Sequence, residues 1–226
     1  MTNRIILLTV LTLLLGSLAL TQDSSAISVT GITLPGQEAS VPAECETETT
    51  QTAKVVCAAN AFLGTLSDEQ KTEVLLDLTQ ENAVRWSNFP TPFGERNGIR
   101  LSTLDTAQQT AAEAVVKTAM GEEGYTKAMQ IRMADDVVAS ASGEEGGQVE
   151  FSSGAYFLAF LGTPNTTDTW ILQFGGHHLA YNVTYKADAV ASATPLSSLR
   201  LGRRKTAPPT RPLIMSTTVW QRCSLV

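Results

Sequence analysis

Histidine and cysteine are scarce in this chain of 226 residues, which contains two histidines and three cysteines. Around Cys45 and Cys57 there is neither a second cysteine pair nor a nearby histidine, so the four ligands of a zinc-finger-type site are missing. The motif G-x-S-x-G is also absent, which excludes the nucleophile elbow of the α/β-hydrolases. The sequence therefore favours neither a cysteine-based zinc module nor a serine hydrolase of that class.

Long apolar runs are missing after the first 20 residues. Before that point the chain has one basic residue, Arg4, an apolar stretch from Ile5 to Leu20 and the small residues Ser24-Ser25-Ala26. This order is typical of a cleavable secretory signal, and the apolar stretch is shorter than the ~20 residues that a membrane span needs. We predict a signal peptide over residues 1–26 and a secreted or extracytoplasmic protein with no membrane span after cleavage. An uncleaved anchor is the alternative.

Acidic side chains are absent from the last 31 residues. The first 195 residues carry 10 basic and 22 acidic side chains, a net charge of −12, whereas the last 31 carry six basic ones. An acidic body repels phosphates, so we do not expect nucleic acid as a partner. Residues 196–226 are predicted to be a disordered tail.

The same tail has a second peculiarity. One permitted choice of codons for Lys205 to Val226, read from their third base, gives a sequence that regains acidic residues and an amphipathic helical pattern. We therefore interpret residues 196–226 as an out-of-frame segment produced by a frameshift. On this interpretation we also expect an exposed apolar face on the body of the protein.

Two of the three cysteines lie close together in the sequence. In an oxidising compartment Cys45 and Cys57 are expected to form a disulfide, which would stabilise the fold by about 3 kcal/mol on the chain-entropy model. Two free thiols, with Cys57 buried on a helix, are the alternative. Cys223 lies in the suspect tail.

The hydrophobic pattern changes from helical spacing to alternation along the chain. Helical spacing and a capping box predict helices over Gln51–Leu63, from Ser67 onward, over Thr106–Met120 and over Tyr125–Ala141. Alternation predicts strands over Ala155–Leu161, Trp170–Phe174 and Leu179–Tyr185, with turns at residues 162–165 and at Gly175-Gly176. We expect an α+β fold in which about four N-terminal helices pack on a short antiparallel β-meander over residues 51–195, preceded by a polar linker over residues 27–50.

Several motifs in this body occur in a specific order. Together they resemble the family catalogued as domain of unknown function 3500 (DUF3500), over roughly residues 53–195; the motifs are Trp86–Pro90, Gly98–Leu101, Gly124–Lys127, Ala134–Asp136 and Trp170–Leu179. The resemblance implies an exported protein but no particular reaction. Members of the family are longer, so it also implies that this chain is truncated, with an incomplete domain, and lacks any site that needs the second half.

The two histidines are adjacent, at His177 and His178. If they lay on a strand, their side chains would point to opposite faces and could not share a metal ion without a bulge, which Gly175-Gly176 would permit. His177 would then be a hydrogen-bonded core residue and His178 the better metal ligand or general base. A divalent transition metal such as Zn²⁺ or Cu²⁺ is the expected cofactor, because imidazole suits these ions. A purely structural role for both histidines is the alternative.

A second set of candidates lies in the irregular segment before residue 104. Its members could form an anion-binding clamp, or the arginines could simply bond loop carbonyls and acidic groups; the candidates are Arg85, Trp86, Asn88, Arg96 and Arg100. Arg100 is also a catalytic candidate beside the histidines. Asp135-Asp136 could supply an oxygen ligand or a proton acceptor, although a solvated helix turn is the simpler interpretation.

Three functional hypotheses follow from these candidates. The first is an extracytoplasmic metal-binding protein or metal-dependent enzyme that uses the Gly-Gly-His-His segment. The second is a non-catalytic extracellular binding module for an anionic small molecule. The third concerns this particular chain, which would be a truncated and non-functional product of the shifted frame.

Overall fold

The computed structural model describes residues 39–142 and 150–197. The described helices are α1 (Ala43–Glu46), α2 (Gln51–Gly64), α3 (Asp68–Val74), α4 (Gln80–Val84) and α5 (Thr106–Ser142), with a 3₁₀ helix at Leu101–Thr103. The described strands are β1 (Leu75–Leu76), β2 (Ile99–Arg100), β3 (Phe157–Leu161), β4 (Thr169–Gly176), β5 (Leu179–Lys186) and β6 (Ala189–Ser197). The expected mixture of helices and a mostly antiparallel sheet is confirmed. The number and lengths of the elements differ from the prediction.

Side-chain hydrogen bonds cap the N-termini of α2 and α3. The Thr50 hydroxyl accepts a hydrogen bond from the Ala53 amide at the N-terminus of α2. The predicted capping box of α3 is confirmed, since the Ser67 hydroxyl accepts from the Gln70 amide (3.2 Å) and the Gln70 side chain accepts from the Ser67 amide (3.0 Å). Both caps satisfy backbone donors that have no partner within the helix.

The predicted helices Thr106–Met120 and Tyr125–Ala141 both lie within α5, which consists of two helical segments separated by a kink. Its 37 residues are interrupted at Gly121, whose φ of 69° and ψ of 170° are not helical. Glycine adopts this positive φ without the steric cost that a side chain would bring. The glycine therefore bends the element where the sequence predicted an end, and the helix resumes at once.

The sheet has the order β1-β3-β4-β5-β6, with β2 paired to β3 beside β1. Among the described strands only β1 pairs in parallel, with β3, and the other pairings are antiparallel. The predicted meander corresponds to β3, β4 and β5. The sequence missed β6, in which Leu196 and Ser197 pair with Ala180 and Leu179. The predicted boundary after residue 195 thus falls inside a strand, and residues 198–226 lie outside the described residues.

Helices α2 and α5 pack on one face of the sheet. Phe62 of α2 contacts Phe160 of β3 with ring centroids 6.5 Å apart, and the Tyr181 hydroxyl of β5 donates to the Ala119 carbonyl of α5 (3.0 Å). The rings of Trp170 and Tyr185 stack at 4.2 Å within this layer. The core is therefore a layer of aromatic and aliphatic side chains between two helices and the sheet.

The disulfide prediction is confirmed, because Cys45 and Cys57 are bonded and their Cα atoms lie 5.3 Å apart. Cys45 is completely buried and belongs to the helical turn α1. Within the predicted linker over residues 27–50, the described part from residue 39 onward is attached to α2 through the disulfide, while most of its other side chains are exposed. The predicted signal at residues 1–26 lies outside the described residues.

Apolar side chains are also found at the surface of the described residues. The large ones are Leu78, Val84, Phe89, Phe93, Val138 and Val190. In the part of the chain that the structure describes, no helix combines the length and apolar character required to cross a membrane.

Candidate functional site

The two histidines form the turn between β4 and β5. Gly176 pairs with Leu179, so His177 and His178 form the two-residue turn of the hairpin, and His178 has a φ of 62°. The predicted turn at Gly175-Gly176 is wrong, because both glycines pair within the sheet. The histidines lie in the turn and not on a strand, so the condition for side chains on opposite faces is not met, and their ring centroids lie 3.6 Å apart.

Gly176 makes room for an aromatic ring. A Cβ atom at this position would lie 2.6 Å from Cγ of Tyr156, a distance at which one of the two residues would have to move. The absence of a side chain therefore lets the buried Tyr156 ring lie against the strand directly before the histidine turn. This position brings its hydroxyl group to the histidines.

Asp135 of α5 connects the helix layer to this turn. Its Oδ1 lies 2.6 Å from Nδ1 of His177, and its Oδ2 lies 3.0 Å from the Tyr156 hydroxyl. That hydroxyl also lies 2.6 Å from the His177 carbonyl oxygen. Asp135 is only 3% exposed. Burial raises the pKa of its carboxyl group, and the bonds from His177 and Tyr156 oppose that shift.

Arg132, which lies on α5 near Asp135, pairs with Glu113 and not with Asp135. Nη1 of the buried Arg132 bonds to Glu113 Oε1 (2.7 Å), while Nε and Nη2 donate to the Ser153 carbonyl (3.0 and 2.9 Å). Within residues 39–142 and 150–197, the ion pair of Asp135 is with His177. The buried carboxylate is thus matched by an imidazole that can carry a proton or a cation.

His178 is positioned by a backbone hydrogen bond and by the contact of its ring with the ring of His177. Its amide donates to the Asn88 carbonyl (2.9 Å), which fixes the turn against the irregular segment before β2. Burial lowers the pKa of the His178 imidazole, and the adjacent His177 lowers it further. The neutral ring, with a lone pair on one nitrogen, is therefore the favoured form of His178.

The candidate arginines are all engaged by protein groups. Arg85 pairs with Glu81, and Arg100 pairs with Glu150. Arg96 bonds the carbonyl oxygens of its own segment, and burial lowers the pKa of its guanidinium group. Among the described hydrogen bonds and ion pairs, none joins these arginines to a histidine ring.

Arg85, Trp86 and Arg96 do come together, at a small cleft against the sheet. Polar side chains of Asn97 and Asn182 line the same cleft, whose volume of about 20 Å³ holds about one water molecule. Sites for small organic ligands are usually ~300–1,000 Å³. Arg100 lies outside the cleft lining, so the five predicted clamp residues do not form one site.

Sequence reasoning found only part of the histidine site. It named Asp135 as a possible proton acceptor but preferred a solvated turn, and it did not single out Tyr156, Arg132 or Glu113. Their apolar surroundings in the sequence gave no signal of a polar cluster. In the described part of the chain, no three His, Cys, Asp or Glu side chains are grouped as metal ligands. The arrangement offers two imidazoles, with a carboxylate behind one of them.

Comparison with protein families matches residues 48–198 to a family described as "Protein of unknown function (DUF3500)". The match covers more than half of the chain, so the chain belongs to this family. Comparison with curated proteins and with solved structures gives no match.

Proposed function

We propose that this member of the DUF3500 family is an extracytoplasmic metal-binding protein that holds a divalent transition metal, such as Zn²⁺ or Cu²⁺, at the His177–His178 turn. The observation that carries the proposal is the 2.6 Å contact between His177 Nδ1 and the buried Asp135 carboxylate. Histidines that ligate metals usually donate their second ring N–H to a carboxylate or a carbonyl group, which fixes the ring and increases its basicity.

The contact determines which nitrogen of His177 is available. When Nδ1 donates to Asp135, the neutral ring carries its lone pair on Nε2. The side chain of His177 is 15% exposed, so part of the ring faces solvent. Asp135 therefore supports the ring from behind and adds negative charge near the ion without being a ligand itself.

His178 supplies the second nitrogen ligand of the proposed site. Two imidazolium ions with ring centroids 3.6 Å apart would repel each other, so the contact disfavours protonation of both rings; sharing one ion would require the stacked rings to turn their nitrogens towards it. The lowered pKa of His178 favours the neutral state. Two imidazoles leave the other positions of a four-coordinate ion for water or a substrate, and a metal-dependent enzyme would use those positions.

The proposal also includes the extracytoplasmic location of the protein and the truncation of this chain. The Cys45–Cys57 disulfide is consistent with an oxidising, extracytoplasmic compartment. All four residues of the site, Asp135, Tyr156, His177 and His178, precede residue 196. Truncation and loss of function through a shifted frame stay a prediction, which sequencing the DNA across the Thr194 codon tests.

The alternative of an anionic-ligand module has weaker support. Arg85 and Arg96 border a cleft, but its volume of about 20 Å³ fits one water molecule, and both guanidinium groups already have protein partners. A clamp would have to break these bonds before it could bind an anion.

Isothermal titration of the purified chain with Zn²⁺ tests the proposal. Wild-type protein should bind the ion, and His177→Gln and His178→Gln should each weaken binding. The control is Leu179→Ala, which removes a buried apolar side chain from the same hairpin without removing a nitrogen. An equal loss of affinity in all three variants would indicate a folding role for the histidines and contradict the proposal.

A further inference from the structure

One atom of a buried amide group beside the sheet lacks a hydrogen-bond partner. Asn97 is 6% exposed and lies shortly before β2, at the end of the irregular segment that follows α4. Its Nδ2 donates to the Asn82 carbonyl (2.7 Å) and to Gln173 Oε1 (2.8 Å). Among the described residues, no donor bonds its buried Oδ1. A buried acceptor without a donor bears its full desolvation cost, so a partner for this atom is expected.

The neighbours of Asn97 determine the orientation of its amide group. Both protons of Nδ2 have an acceptor, so exchanging the oxygen and nitrogen positions would place Oδ1 against two other oxygen atoms. The next residue, Gly98, has a φ of 95°, and a Cβ atom there would overlap the Leu158 carbonyl oxygen. The backbone is thus packed closely against β3. Rotation of the amide therefore does not supply the missing bond.

Asn97 lines the small cleft between the irregular segment and the sheet. The volume of this cleft is about 20 Å³, and a bound water molecule needs about 10–15 Å³. Buried waters usually make two to four hydrogen bonds, and the side chains of Ser87 and Asn182 offer a hydroxyl and a second amide in the same lining. The cleft has the size and the polar groups that one water molecule requires.

The lining also decides the charge of the occupant. The atom that lacks a partner is an acceptor, so the occupant must donate a hydrogen bond, which an ionised carboxylate does not do. A cation would lie beside the guanidinium groups of Arg85 and Arg96, which would repel it. A neutral donor of the size of water satisfies both conditions.

We infer that the cleft binds one ordered water molecule, which donates to Asn97 Oδ1 and joins the irregular segment to β5 through the Asn182 side chain. This site is independent of the proposed metal site. The same segment provides the Asn88 carbonyl that accepts from the His178 amide (2.9 Å). The water therefore stabilises the segment against which the histidine turn is fixed.

A crystal structure of the full chain that shows ordered waters, together with NOEs between water and the Asn97 side-chain amide protons in solution, tests the inference. We expect one water within hydrogen-bond distance of Asn97 Oδ1 and an NOE whose sign reports a long residence time. A dry cleft, or a protein donor on Oδ1, would overturn the inference.

Asn182→Val removes the polar partner on β5 and keeps a residue that suits a strand. It should lose the water NOE at Asn97. The control is Thr184→Val, which removes a polar group two positions along the same face of β5 and outside the cleft lining, and it should keep the NOE. An NOE of wild-type intensity in Asn182→Val would contradict the bridge to β5. If Asn182→Val does not fold, the wild-type measurements decide alone.

Discussion

Replacing Asp135 by asparagine probes the connection between α5 and the histidine turn. The substitution keeps the size of the side chain but removes the negative charge from the atom that lies 2.6 Å from His177 Nδ1. Loss of an outer-shell partner of this kind typically weakens metal binding about 10- to 100-fold, or about 1.4–2.7 kcal/mol. Asp135 is buried and its ion pair is with His177, so we expect the effect to reach this range.

The assay is Zn²⁺ titration of Asp135→Asn beside Asp136→Asn. Asp136 is the next residue on the same helix, but its Oδ1 accepts from the Ser153 amide (2.7 Å) and does not contact a histidine. The control should bind Zn²⁺ like the wild type. If folded Asp135→Asn also binds with wild-type affinity, the carboxylate does not orient a ligand and our reasoning is refuted.

Three further predictions concern the fold and the pH dependence of the site. Cys57→Ala, which removes the bond to Cys45, should lower the free energy of unfolding by about 3 kcal/mol in urea titrations, and an unchanged value would mean that the disulfide contributes nothing. Arg132→Met should cost about 3–5 kcal/mol, because Glu113 is left buried and unpaired; an unaltered unfolding midpoint would contradict a buried ion pair. Zn²⁺ affinity should fall as the solution is acidified, because protons compete for the imidazoles. Burial lowers the pKa of His178 below the ordinary histidine value of about 6.5, so competition at this ring begins at lower pH, and a pH-independent affinity would exclude histidine ligands.

Features set by neighbouring residues were predictable from the sequence. The capping box at Ser67 and Gln70 depends on two side chains three positions apart, and the Cys45–Cys57 bond closes a short loop. The strands of the meander follow from their apolar residues: β5 alternates over most of its length, whereas β3 is a short apolar run that is buried on both faces. In each case the signal lies within a dozen residues.

Features set by distant contacts were not predictable in this way. Strand β6 consists largely of small residues, and those from Ala189 to Thr194 are exposed, so no alternation marks it. The glycines before the histidines looked like a turn because glycine is common in turns, yet Gly176 is needed for the close approach of Tyr156. Asp135 and His177 are 42 positions apart in the sequence, and the residues around either of them do not indicate that the two side chains are in contact.

The most direct test of the metal site is ¹⁵N NMR of the histidine ring nitrogens during a Zn²⁺ titration. If the account is right, the Nε2 resonance of His177 shifts on metal binding, its Nδ1 remains protonated towards Asp135, and one ring nitrogen of His178 shifts in parallel. Binding of Zn²⁺ that leaves the ring resonances of both histidines unchanged, or no binding at all, would contradict the account.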